Sequence, residues 1–469
     1  VEPWEFTAWQ WLVLVQHELL LFAGIFFLIG ALDELAIDLV WLRLALTRRT
    51  RPRQLDCAEE NPATLSGPVA VFLPAWREAR IIGPTIRHLL AVWPQRELRL
   101  YLGCYRNDPA TLEAAMAVGG HDDRLRIVVH DRDGPTTKAD CLNRLYRALT
   151  TDEQRSGRTV RMVVLHDAED MVDPAAIGVL DASIAQAEMV QLPVRPEPQS
   201  GTFGIGSHYC DEFAEAHGKT MVVRDALGAG LPLAGVGCAI RRDALDKLAM
   251  RRADDGPFAT DCLTEDYELG IGIGALGGRT RFLRVRAPDG RLVATRACFP
   301  ARLDRAVRQK TRWLHGIAFQ GWDRLGWSGS VVECWMRLRD RRGPFAALIL
   351  AVGYLLLILA TLGWALGLAG IGAAIDGSPL LQAILWCNLF GLCWRIAFRT
   401  AFTAREYGLA EGLWAIPRMV VANTIAIMAG RRALAAYARS LLGETPRWDK
   451  TEHDLHPEAI GRSLAAARG

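Results

Sequence analysis

The stretch "FAALILAVGYLLLILATLGWALGLAG", Phe345 to Gly370, holds 26 residues without a single charge. About 20 apolar residues in a helix reach across the hydrocarbon of a bilayer, so part of this chain is expected to live in lipid. In chain order the first such run is Leu12 to Leu32, which carries Gln16, His17 and Glu18 near one end, and Phe345 to Gly370 is the second. A third, Leu380 to Phe398, follows a short "DGSP" turn and holds Arg395 where it can snorkel to the interface. The last two read as a hairpin. A fourth, Met419 to Ala429, spans 11 residues between Arg418 and the pair Arg431 and Arg432. That length suits an interfacial or re-entrant helix better than a crossing.

Lysine and arginine set the orientation. "RLALTRRTRPR" follows the first run, "RLRDRR" precedes the second, and Arg395, Arg399 and Arg405 close the third. All three flanks read as cytoplasmic, which puts the N-terminus outside. The first run is too long for a cleaved leader and has no small-residue cleavage site, so it reads as an anchor. A net charge of +3 gives no electrostatic footprint for nucleic acid. The ten cysteines are scattered without a CxxC pair, as expected of reduced thiols in the cytoplasm.

Between the first and second runs the chain has ordinary soluble character. "PVAVFLPA", "LRLYLGCY", "RLRIVVH" and "TVRMVVLH" read as strands, separated by helical patterns such as "ARIIGPTIRHLLAVW" and "TTKADCLNRLYRAL". Strands alternating with helices predict an α/β, Rossmann-like domain with a mainly parallel sheet. Ligands bind such sheets at the carboxyl ends of strands. Those ends carry Glu78 in "WREAR", Asp108 in "RNDPAT", and Asp167, Glu169 and Asp170 in "HDAEDMVDP". Asp167 and Glu169, two apart, offer hard oxygens suited to magnesium or manganese. The plainer reading has these acids favouring the start of a helix marked by Asp173 and Pro174.

A second acidic group lies in "DCLTEDYELGIGIGAL", where Thr264 is expected to cap a helix with Glu265 and Asp266 in its first turn. Lys138 reads as a solvated helix residue unless a phosphate lies near it. Gln309, Arg312 and Trp313 in "RQKTRWLHG" share one helix face at i, i+3 and i+4. Their plainer reading is an interfacial anchor: residues 301 to 342 hold ten Lys or Arg against four Asp or Glu, with Trp322, Trp327 and Trp335 among them. His453 and His456 in "WDKTEHDLHP" read as a solvated tail rather than a metal site.

Taken together, a strand ending "LPAWRE", an Asp-x-Glu after a later strand, Thr264-Glu265-Asp266, and Gln309-x-x-Arg312-Trp313 ahead of paired spans resemble the membrane-embedded family 2 glycosyltransferases, which include cellulose and hyaluronan synthases. "YLGCYRNDPATLEA", "VVLHDAED", "IPRMVVANTIAIMAGRRALAAY" and "WDKTEHDLHP" are similar to the bacteriophage adsorption protein B branch of that family. The resemblance implies a GT-A catalytic domain on the cytoplasmic side of a bacterial inner membrane. It divides the chain into an anchor (1–50), a transferase domain (51–300), interfacial helices (301–344), a transmembrane hairpin (345–400) and an interfacial or re-entrant helix with its tail (401–469). The implied chemistry is an inverting transfer from a nucleotide sugar, expected to be a UDP-sugar, to a growing exopolysaccharide. Asp266 serves as base with Glu265 beside it, and Asp167 and Glu169 hold Mg2+ or Mn2+. Glu78, Asp108, Lys138, Asp167 and Arg312 bind the donor, while Gln309 and Trp313 meet the acceptor. Membrane lipids and an outer-membrane export or phage-receptor partner complete the expected contacts.

This chain departs from the family pattern in two places. Arg77 stands where the family has Asn, and Tyr105-Arg106-Asn107-Asp108 replaces an Asp-Asp-Gly-Ser loop. Two other functions fit the same residues: a membrane scaffold for polymer export or phage adsorption with a decayed site, and a transferase that moves one sugar onto a lipid phosphate.

Overall fold

The computed structural model describes residues 8–199, 201–202, 204–252, 256–327, 329–368 and 378–444. The turn at Asp376 and the tail with His453 and His456 lie outside these residues. The first helix, α1 (Ala8–Leu46), continues well past Leu32. Its added turns carry Asp33, Glu34 and Asp38.

The soluble part is built on a seven-stranded sheet. Its strands are β1 (Val69–Pro74), β2 (Leu98–Tyr105), β3 (Leu125–His130), β4 (Met162–Leu165), β5 (Met189–Gln191), β6 (Cys238–Arg241) and β7 (Thr280–Phe282), in the order β3-β2-β1-β4-β6-β5-β7. The first four are parallel, while β6 runs antiparallel to both neighbours. These four are the β-branched runs seen in the sequence. Val69, Ala70, Val71, Phe72 and Leu73 have no solvent exposure, because a parallel sheet is covered on both faces. Helices α2 (Ile82–Val92), α3 (Pro109–Gly119) and α4 (Lys138–Ser156) make the crossovers. The helix after β4, α5, runs Ala176–Ser183. A parallel two-stranded pair, Val194–Pro196 with Thr295–Ala297, borders the same end of the sheet.

Helix α6 (His208–Glu215) passes through a π-helical turn, Ala216–Thr220, into a short helix, Met221–Ala226; after β6 come a helix Arg242–Arg252 and then α7 (Glu265–Ala275). Next come α8 (Leu303–Leu314), a second π-helical turn (His315–Gln320) and a short helix (Gly321–Leu325). After these come α9 (Val331–Arg341), α10 (Gly343–Leu368), α11 (Pro379–Tyr407) and α12 (Leu409–Leu441).

Among the described residues, four helices, α1, α10, α11 and α12, are long and apolar enough to cross a membrane. The fourth corrects the sequence reading, which expected an 11-residue piece: α12 has 33 residues. Pro417 lies inside it, and Arg418, taken as a boundary charge, is buried against Asp211 and Glu411. Toward its far end, Tyr437 donates to Asp323 at 3.1 Å. Both parts of α12 therefore touch elements that border the soluble domain.

Candidate active site

A cleft opens at the carboxyl ends of β1, β2 and β4. It is lined by Glu78, Lys138, Asp167, Glu169, Asp170, Glu265, Asp266, Gln309, Arg312 and Trp313. Every site residue expected from the sequence except Asp108 thus reaches one cavity wall, although Glu78 and Trp313 lie more than two hundred residues apart.

Lys138 begins α4, and its Nζ lies 2.5 Å from Asp167 Oδ1. Burial works against its ammonium, but Asp167, Glu265 and Asp266 outweigh burial and hold it charged well above the ordinary lysine range. Lys138 is thus a cation held among acids, not a solvated helix residue. Asp167 and Glu169 precede α5 by several residues, which rules out the helix-capping reading for them. Asp170 turns inward: its Oδ2 accepts from the Asp167 backbone N at 2.9 Å and pairs with His166 Nδ1 at 2.9 Å. It fixes the loop that presents Asp167 and Glu169. Among the described residues, no group of three His, Cys, Asp or Glu side chains is arranged to hold a metal. Asp167 and Glu169 supply two hard-oxygen side chains, the donor chemistry that suits an ion whose other ligands are phosphate and water.

Glu265 and Asp266 start α7 with Thr264 at the N-cap position. The expected Thr264 cap is absent, since its side chain makes no capping hydrogen bond; it packs instead against Gly316, where any Cβ would collide with it. Burial, and then the charge of Asp266, push Glu265 up to about 7, with Lys138 and Arg312 opposing. Burial also raises Asp266, against the pull of Lys138 and the hydrogen bond its Oδ1 accepts from Tyr267 N at 2.8 Å. Gly235, at φ +78°, passes so close that a Cβ there would sit 2.7 Å from Asp266 Oδ2.

Gln309, Arg312 and Trp313 face the cleft together from α8. Gln309 is buried, and its Oε1 has no hydrogen-bond partner among the described residues. Trp313 is braced edge-on by Tyr209 (6.1 Å between ring centres) and Phe299 (6.4 Å). Phe213 and Phe299 share the cleft wall with it. The sequence reading missed both, because isolated phenylalanines carry no spacing signal.

Glu78 lines the other end with Trp76 and Tyr105, whose rings meet edge-to-face at 5.0 Å. Asp108 departs from the reading. It does not line the cleft: its Oδ2 accepts from the backbone N of Arg77 at 2.6 Å. Arg77 is in the left-handed region at φ +56°, and Asp108 holds that turn so that Trp76 and Glu78 face inward.

A family model described as "Glycosyltransferase like family 2" matches residues 67–316, just over half of the chain. The bacteriophage adsorption protein B of Escherichia coli strain K12 is 32% identical over 93% of this chain. The bacteriophage N4 adsorption protein B of Escherichia coli O157:H7 matches to the same extent. This chain spans 62% of the length of those curated relatives. Among solved structures, a mannosyltransferase from Pyrobaculum calidifontis, in complex with GDP-Man and Mn2+, is 17% identical, with a TM-score of 0.52 over 88% of this chain and 99% of its own. That likeness concerns the fold, a GT-A-like sheet with apolar helices attached. By its matched residues, this chain belongs to the glycosyltransferase-like family 2.

Proposed function

We propose that the chain transfers a sugar, with inversion, from a nucleoside-diphosphate sugar to a glycan acceptor at the membrane. One observation carries the reading: Lys138 meets Asp167, Glu265 and Asp266 in the same cleft that Arg312 enters from α8. Burial and the charge of Asp266 let Glu265 hold a proton up to about 7. Asp266 accepts the proton of the acceptor hydroxyl as that oxygen bonds to the anomeric carbon and the bond to the diphosphate breaks. Lys138 and Arg312 meet the charge that develops on the leaving group. A magnesium or manganese ion bound by Asp167 and Glu169 would supply further neutralisation of that diphosphate. Trp76, Tyr105 and Glu78 fit the nucleoside. Trp313, with Phe213 and Phe299, offers flat apolar surface to an acceptor sugar. The exopolysaccharide acceptor and the UDP donor are part of this reading.

The basic flanks of α1, α10 and α11 support a cytoplasmic cleft at the inner membrane of a bacterium. Reporters active only in the cytoplasm are expected to work after Arg51 or Arg342 and to be silent at Asp376; activity at Asp376 would overturn the hairpin. The direct test of function incubates the detergent-solubilised chain with labelled UDP- and GDP-sugars and Mn2+ or Mg2+. Metal-dependent release of UDP or GDP with label in a glycan supports the reading. Polymer export or phage adsorption without any turnover would favour a scaffold.

A further inference from the structure

The helical stretch that begins with α8 does not end its work at Trp313. Gly316, Gln320 and Arg324 continue the stripe of Gln309, Arg312 and Trp313 at steps of three or four residues. All three touch the segment that carries the two acids. Gly316 packs against Thr264 so closely that only glycine fits. Gln320 Oε1 accepts from Leu263 N at 2.9 Å, and its Nε2 donates to Asp261 O at 3.2 Å. Arg324 reaches both sides of the acids: it pairs with Asp261 before them, and its Nε donates to Glu268 Oε2 at 2.7 Å beyond them. Arg252 takes the other Glu268 oxygen at 2.6 Å. The π-helical turn His315–Gln320 lies between Arg312 and this latch, and such turns are frequent at functional sites.

We infer that Gln320 and Arg324 are positioning residues for Asp266, latching its loop to the same helix that brings Arg312 to the leaving group. The inference rests on Asp266 being the base. A Leu263 amide left unpaired would let the start of α7 shift, and a displacement of about 1 Å costs on the order of a hundredfold in rate when reacting groups must align. Donor binding is carried by Lys138, Asp167 and the strand ends, which this latch does not touch.

The test uses the full chain in detergent with UDP-glucose or GDP-mannose, whichever the parent turns over. Gln320→Met keeps the length and removes both hydrogen bonds; Arg324→Lys keeps the charge and loses the fork, and serves if the first variant misfolds. Gln320→Met is expected to lower kcat by roughly ten- to a hundredfold. Its affinity for UDP or GDP with Mn2+ and its melting temperature stay near the parent's. In an Asp266→Asn background the same change is expected to cost little more, because both act on one step. A parent-like kcat, a loss of nucleotide affinity in step with kcat, or a full independent loss in the double variant would overturn the latch. If Asp266→Asn alone transfers as fast as the parent, the base assignment fails instead, and that result is read without touching Gln320.

Discussion

Along α6, Asp211, Glu212 and Glu215 each meet a cation from a different helix, whereas in the cleft beside them Asp167, Glu265 and Asp266 crowd around Lys138. The seam is closed. Asp211 pairs with Arg418 of α12 at 2.7 Å, Glu212 with Lys310 of α8, and Glu215 with Arg399 of α11 at 2.8 Å. One turn on, Lys219 reaches Asp38 of α1 at 2.7 Å and Glu215 at 2.8 Å. Burial opposes the charge on Glu212, yet Lys310, His208 and Arg399 hold it down to about 2. Burial opposes Glu215 as well, and Arg399, Arg395 and Lys219 keep it well below the usual carboxylate range. Asp211 alone of the three is raised, by burial against the pull of Arg418, and in the cleft burial wins too, lifting Glu265 to about 7. Buried charges that complete one another hold parts together. Buried charges left in excess await a ligand of opposite sign.

Removing a charge should therefore harm the seam and relax the cleft. The largest expected stability effect is at Asp211→Asn, which leaves Arg418 buried with Glu411 alone. A loss of about 3 kcal/mol is expected, the low end for breaking a buried pair, read as a drop in melting temperature in detergent. A parent-like melting temperature would show that the seam does not hold α12.

Next in size is Asp167→Asn. Affinity for UDP or GDP in Mn2+ is expected to fall by roughly tenfold or more, since a charged oxygen is lost beside the diphosphate. Equal affinity with and without metal, in parent and variant alike, would remove Asp167 from the donor site.

Glu265→Gln is the smallest effect and has the opposite sign. Folded, Glu265 keeps its proton up to about 7 against 4.5 for the ordinary carboxyl. The folded chain therefore binds more protons in that window, and stability falls as pH rises through it. At pH 8 without nucleotide, Glu265→Gln is expected to stabilise the folded chain, read as a higher melting temperature in detergent. Glu212 behaves inversely: its contribution is present above about 4.5 and is lost as pH falls toward 2. A destabilised Glu265→Gln at pH 8 would mean that the cleft is as well paired as the seam.

Local patterns made the cleft legible in the sequence. Strand ends collect side chains at one edge of a parallel sheet, and i, i+3, i+4 spacing put Gln309, Arg312 and Trp313 on one face. The seam was not legible, because Asp211, Glu212 and Glu215 look like a solvated helix face until partners some 98 to 207 residues away are known. The same blindness shortened α12, where Arg418 and the pair Arg431 and Arg432 read as edges although the helix runs through all three. Asp108 shows the converse error. A carboxylate at a strand end reads as a ligand group, yet here it secures the left-handed turn at Arg77.

In the proposed reaction one carboxylate of the cleft does chemistry while others bind, and Asp266→Asn separates the two. The substitution keeps the side chain's size and removes its capacity to take a proton. Turnover of a labelled nucleotide sugar and affinity for its nucleoside diphosphate are measured on the same preparation. The account predicts a fall in kcat of roughly a hundredfold or more with nucleotide affinity near that of the parent. An Asn variant that transfers sugar as fast as the parent would contradict it.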